Sequence, residues 1–232
     1  MPEFAGPEAV IYDLDGLLIN SEPFWVRAQQ ELFARVGIQL TAERCKETMG
    51  MRIDEAVSFR HAREPWDENQ VPLARLEAQI IDRVMELIEA HGEPLPGARE
   101  SVQFLKAQSL PMAVASSSHL RVIECALRKT GLETFFERLC SAEFEEQGKP
   151  DPAIFRTAAR KLGVPAVRCL VIEDSLTGLR AALAAGMRAV VVPDPEHTPA
   201  ETLAGADFVL GSLLELPGIW NQVKGLYLSV GP

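Results

Sequence analysis

Four short apolar runs constrain this chain more than any other feature. They are residues 9–12 (AVIY), 112–115 (MAVA), 169–172 (CLVI) and 189–192 (AVVV). Four consecutive apolar residues with no polar alternation suit a strand covered on both faces, and are too few for a helix. Helix-period stretches follow them at residues 120–129, 153–162 and 176–185. Strands alternating with helices of that length predict a parallel sheet with helices on both faces, the α/β Rossmann-like class. Residues 138–141 and 208–210 are weaker strand candidates. Asp151 before Pro152, and Ser175, are placed to cap helices, and Gly131, Gly163 and Gly186 stand where helices should stop.

One region breaks the alternation. Between residues 21 and 90 only amphipathic helical pattern is present, in segments 23–36, 52–63 and 71–90, and HGEPLPG then leads back. The expected organisation is an α/β core from residues 1–19 and 93–232, with residues 20–92 inserted as a small helical cap.

A formal charge of −10 on 232 residues sets a nucleic-acid or membrane-surface partner at a disadvantage. No segment approaches the roughly 20 apolar residues of a membrane span, and the first residues, MPEFAGPEA, show no leader pattern. Four cysteines without a CxxC pair read as reduced, buried thiols. These features together predict a cytoplasmic protein.

Ligands of open parallel sheets bind beyond the carboxyl ends of the strands. Asp13-Leu14-Asp15-Gly16 follows the first run, Ser116-Ser117-Ser118 the second, and Glu173-Asp174 the run at 169–172; Lys149 precedes the helix at 153–162. Asp13 suits a carboxylate nucleophile toward phosphorus. A turn at Gly16 would bring Asp15 back as general acid and then base. Glu173 and Asp174 add hard oxygen ligands for Mg²⁺ beside Asp13. Ser116 and Ser117, opening a helix, suit an anion, and Lys149 supplies the one positive charge. Each of these features alone has an ordinary reading as a turn, cap or surface residue. Their joint occurrence at successive strand ends is the specific signal.

DLDG, ASS, GKPDP and VIEDSLTG, in that order, resemble the haloacid dehalogenase superfamily of phosphohydrolases, and the helical segment resembles the cap of its β-phosphoglucomutase-like group. The resemblance implies Asp13 as nucleophile, Asp15 as acid/base with its backbone carbonyl also on the metal, and Glu173 and Asp174 as Mg²⁺ ligands. It implies Ser116 and Lys149 as phosphate-binding residues and a monomer. Finer features (NSEPFW, GMRIDEAV, REPW, LPGARE) resemble the bacterial 2-deoxyglucose-6-phosphate (hexitol phosphate) phosphatases, which implies a small phosphorylated sugar or polyol as substrate. Asn20 stands where the family motif has Asp.

Three other readings share part of this set. The mutases of the group carry His where Trp25 stands, and an indole cannot shuttle a proton. A dehalogenase needs neither Asp15 nor the acidic pair. A receiver-type signalling module has its phospho-accepting Asp farther along the chain and no such insertion. For substrate contacts in the cap, Glu22, Trp25 and Arg52 are the candidates. Arg60 and Arg63 read as a solvated helix face, Trp66 as a packed aromatic, and His61, His91, His119 and His197 as unpaired.

Overall fold

In the computed structural model, which describes residues 6–194 and 203–228, six parallel strands form one sheet in the order β3-β2-β1-β4-β5-β6. The strands are β1 (Ala9–Tyr12), β2 (Met112–Ser116), β3 (Arg138–Ser141), β4 (Cys169–Glu173), β5 (Arg188–Val191) and β6 (Phe208–Val209). β1 lies between β2 and β4, with Ile11 opposite Ala113 on one side and Val171 on the other. The strand bearing the twin aspartates is therefore central, and its tip is flanked by the tips bearing Ser116 and Glu173.

Alternation along each strand divides the core in two. Val10, Tyr12, Val114, Leu170 and Ile172 face one layer, which takes in α5 (Ala98–Ala107), α6 (Leu120–Thr130) and α9 (Leu216–Gly225). Ala9, Ile11, Ala113 and Val171 face α7 (Ala153–Leu162) and α8 (Leu176–Ala184). The second layer is rich in alanine (Ala158, Ala159, Ala181, Ala182), so its helices lie close to the sheet.

Between β1 and α5 the described residues form four α-helices and no strand: α1 (Glu22–Phe33), α2 (Ala42–Lys46), α3 (Ile53–Arg63) and α4 (Leu73–His91). α1 and α4 pack along each other through Ala28, Leu32, Phe33, Leu76 and Ile80, which continue the first core layer.

The strand and helix positions expected from the sequence are present within two residues at their ends, except that the segment expected at 23–36 ends its α-helix at Phe33 and closes in a 3-10 turn over Ala34–Val36. Asp151 Oδ1 accepts from the Ala153 amide at 2.9 Å and Ser175 Oγ from the Gly178 amide at 3.0 Å, so both act as caps. Three expectations are corrected. Arg60 is buried rather than solvated, because Glu47 and the Arg44 carbonyl meet its guanidinium. His119 is paired, lying between Glu77 of α4 and Glu143. His61 is also engaged, 3.2 Å from the Trp66 carbonyl and stacked edge-on to its ring. His197 lies outside the described residues. No described helix is long and apolar enough to cross a membrane.

Candidate active site

β1 ends at Tyr12, but the Asp13 amide still donates to the Ile172 carbonyl at 2.9 Å, which fixes the first aspartate as a continuation of the strand. Beyond it the chain folds onto itself. The amides of Leu17 and Leu18 return to the Leu14 carbonyl, and Gly16 sits at φ +77°. A Cβ at Gly16 would overlap the Asp174 carboxylate, so the turn needs glycine for both conformation and space. The turn brings Asp15 to the same side of the sheet edge as Asp13.

Asp13, Lys149, Glu173 and Asp174 meet there, all at least nine-tenths buried. Lys149 Nζ donates to Asp13 Oδ1 at 2.5 Å, to Glu173 Oε1 at 2.6 Å and to the Ala115 carbonyl at 3.0 Å. The other oxygen of Glu173 accepts from the amides of Asp174 and Ser175 and from the Ser175 hydroxyl, at 2.9–3.1 Å. Asp15 is held by a different set. Its Oδ2 accepts from Ser118 Oγ at 2.7 Å and Ser116 Oγ at 3.2 Å, and its Oδ1 from Ser21 Oγ and from Trp25 Nε1 at 3.1 Å.

One ammonium faces three buried carboxylates. Burial, then the neighbouring Glu173 and Asp15 charges, push the Asp13 carboxyl up to about 7 against the opposing pull of Lys149. Burial and the charges of Glu173 and Asp13 raise Asp174 well above the usual range. Burial also works against Glu173, but Lys149 and the Ser175 donors outweigh it and hold this carboxyl low. Lys149 is raised, since Asp13 and Glu173 overcome the burial that would lower it. The cluster thus lacks positive charge. One oxygen each from Asp13, Glu173 and Asp174 lies within 4.8 Å of the others, an all-oxygen donor set that fits a hard divalent cation.

Above this cluster opens a cavity of about 400 Å³, in the size range of small-ligand sites. Asp13, Asp15, Ser116, Ser117, Lys149 and Asp174 line its floor. Glu22 and Trp25 line its opposite wall with other residues of α1–α3. Arg52 does not line it. Its guanidinium pairs with Asp54 at 2.6 Å and donates to the Glu145 carbonyl at 2.7 Å, so it ties α3 to the segment leading to Lys149. Sequence reasoning did not assign Ser21, Ser118, Ser175 or Gly178 to the site. All four lie in stretches that carried a signal, Ser118 in the SSS run, Ser21 in NSEPFW, and Ser175 and Gly178 in VIEDSLTG.

A family profile of haloacid dehalogenase-like hydrolases matches residues 10–192. Hexitol phosphatase B of Escherichia coli (strain K12) is 39% identical over 209 residues, covering 90% of this chain and 93% of that protein. The crystal structure of CbbY from Rhodobacter sphaeroides in complex with phosphate superposes with a TM-score of 0.84 at 30% identity, over 90% of this chain and 96% of that one. β-Phosphoglucomutase from Clostridium difficile, at 24% identity, shares the fold with a TM-score of 0.81 over 97% of this chain and 100% of its own. A match that begins inside β1 and ends just past β5 takes in every strand tip of the cavity floor, and the chain belongs to the haloacid dehalogenase-like hydrolase family.

Proposed function

We propose that the protein is a magnesium-dependent phosphatase of small sugar or polyol phosphates, working through a phosphorylated Asp13. The observation that carries this reading is the convergence of Asp13, Glu173, Asp174 and Lys149 beneath a cavity floored also by Asp15 and Ser116. The name of the hexitol phosphatase relative supports the substrate class. Residues 1–19 and 93–232 are read as the catalytic core and 20–92 as the cap.

Asp13 and Asp174 would hold the metal, with Glu173 and the Asp15 carbonyl as further donors. When bound, Mg²⁺ supplies the positive charge that the carboxylate cluster lacks and offsets charge on the phosphoryl group. Lys149 and the Ser116–Ser117 segment bind the phosphoryl oxygens. An Asp13 carboxylate oxygen attacks phosphorus in line, and the bond from phosphorus to the ester oxygen breaks. Asp15, protonated, gives its proton to the departing alkoxide. Water then attacks the aspartyl-phosphate while the Asp15 carboxylate takes a proton from it. The phosphorus–Asp13 bond breaks, releasing phosphate and restoring both side chains. Positioning and fixed charge supply most of the acceleration.

The test is phosphate release from p-nitrophenyl phosphate and from hexitol phosphates, with Mg²⁺ and with EDTA. Turnover should require the metal, and Asp13→Asn should lower kcat by at least about a thousandfold while phosphate still binds. Metal-independent hydrolysis, or substantial kcat in Asp13→Asn, would overturn the reading.

A further inference from the structure

The face of α1 on the cavity wall runs Glu22, Trp25, Val26, Gln29, the i, i+3, i+4, i+7 spacing of a single helical stripe. Trp25 donates to Asp15, and Val26 is apolar wall. Gln29 fits neither role. It is 7% exposed, and its Oε1 is buried with no hydrogen-bond partner. Among the described residues, it is the one buried side-chain polar atom without a partner that belongs to a residue of the cavity wall.

No hydrogen bond from that wall reaches it. Of the other wall residues, Met49, Ile53 and Ala56 are apolar, Cys45 has only a weak thiol donor, Lys46 is exposed, and the Thr48 hydroxyl is spent on the Cys45 carbonyl at 3.2 Å. A buried amide oxygen without a donor costs stability, and such groups in folded proteins call for a reason. A carboxamide turned end for end offers either an acceptor or a pair of donors, which matches the dual character of an alcohol hydroxyl. Its position along the helix bears on which hydroxyl. Gln29 lies four residues beyond Trp25, about 6 Å farther along the axis, and Trp25 touches the carboxyl assigned to protonate the leaving oxygen. That separation corresponds to a chain of several carbons between the ester oxygen and the group Gln29 meets.

We propose that Gln29 determines specificity. Its carboxamide hydrogen-bonds a hydroxyl several carbons from the ester oxygen, so that the cavity selects phosphate esters of polyhydroxylated chains over those of apolar alcohols. This rests on the phosphatase reading above and adds the residue that reads the alcohol. The apolar surroundings sharpen the selection, because an ester with no hydroxyl at that point leaves the amide unmet, whereas one that has it restores a buried hydrogen bond.

The experiment compares the full-length protein with Gln29→Met, which keeps length and removes both polar ends, and with Gln29→Leu as a second variant. The readout is kcat/KM for a hexitol phosphate, for its monodeoxy analogues and for p-nitrophenyl phosphate. For one deoxy position the wild type should lose about tenfold or more relative to the parent ester, and the variants should show no such difference. The ratio of hexitol phosphate to p-nitrophenyl phosphate should fall by a similar factor. Melting temperatures of the variants should equal or exceed that of the wild type, since the unmet amide is gone. Equal discrimination by wild type and variants at every deoxy position overturns the inference and leaves the phosphatase reading intact. A wild type that hydrolyses neither class of ester overturns both.

Discussion

The floor and the wall of the cavity are built on opposite principles. On the floor several polar groups are held many times over: Lys149 has three acceptors, Asp15 four donors, and one oxygen of Glu173 three donors. The wall opposite, carried by α1–α3, is mostly apolar, and its one buried amide oxygen is unmet. Fixed, mutually held charge belongs where charge develops in the transition state, because it need not reorganise as the reaction proceeds. Discrimination among alcohols needs only a shaped surface with one or two polar points. The chemistry and the choice of substrate are therefore held on separate parts of the chain, and substitutions should affect one without the other.

The floor should be the less forgiving. Gly178 opens the first turn of α8, and a Cβ there would overlap the Glu173 carboxylate. Alanine would otherwise favour the helix by up to about 1 kcal/mol. Gly178→Ala is expected to weaken magnesium affinity by about ten- to a hundredfold, read from titration calorimetry or from the metal dependence of kcat. An unchanged metal affinity would show that the floor tolerates movement of Glu173, and the contrast with the wall would fail. A smaller effect concerns pH. Without metal, the Asp13 carboxyl is raised by burial from 3.8 to about 7, so the folded state holds a proton that the unfolded chain has released. Stability of the metal-free protein should fall as pH rises through that window. Between about pH 5 and about pH 8 the melting temperature in EDTA should drop by roughly 5 °C, and Mg²⁺ should remove most of the drop. A flat profile in EDTA would mean that the cluster is not short of positive charge.

The same contrast governs what the sequence made legible. Asp13, Ser116, Glu173 and Asp174 were readable because each ends an apolar run too short to be anything but a buried strand, and parallel topology sends all such ends to one edge. The turn at Gly16 was readable because a glycine after two acids has few other uses. The wall was legible only at Glu22 and Trp25, and the rest was opaque for a physical reason. Glu22, Trp25, Val26 and Gln29 share the spacing of any packed helix stripe, so periodicity could not separate cavity from core. Arg52 was expected to meet substrate and Arg60 to face solvent, and neither does. Their partners Glu145 and Glu47 are set by tertiary packing, one of them 93 positions away. α2 spans five residues, below the reach of a helical period, and α5 was hidden behind the prolines and glycine that precede it.

The bond from Trp25 to Asp15 crosses from wall to floor, and it offers a finer test. Trp25 Nε1 reaches Asp15 Oδ1 at 3.1 Å from the wall side. Trp25→Phe keeps an aromatic ring on the cavity wall and removes the donor. A net hydrogen bond of about 1 kcal/mol corresponds to a kcat lower by roughly fivefold, with KM for p-nitrophenyl phosphate little changed. If KM rose and kcat held, Trp25 would be acting only as wall, and the link between the two halves would lie elsewhere.

The smallest effect is expected outside the cavity lining, where α1 is tied to α4. Arg83 meets Glu31 at 2.7 Å and 3.3 Å, and Arg27 meets it at 2.8 Å. The hydrogen bonds from Arg83 and then Arg27 hold the Glu31 carboxyl down at about 2. A depressed carboxyl contributes stability above its unfolded value of 4.5 and loses it as pH falls toward 2. Arg83→Gln should therefore lower the melting temperature by only a degree or two at neutral pH. The difference should narrow below about pH 4.5 and in high salt, because the pair is open to solvent and screened. A larger loss, or one indifferent to salt, would mean that the orientation of α1, and with it the stripe from Glu22 to Gln29, depends on this surface pair rather than on Ala28, Leu32 and Phe33 packed beneath it.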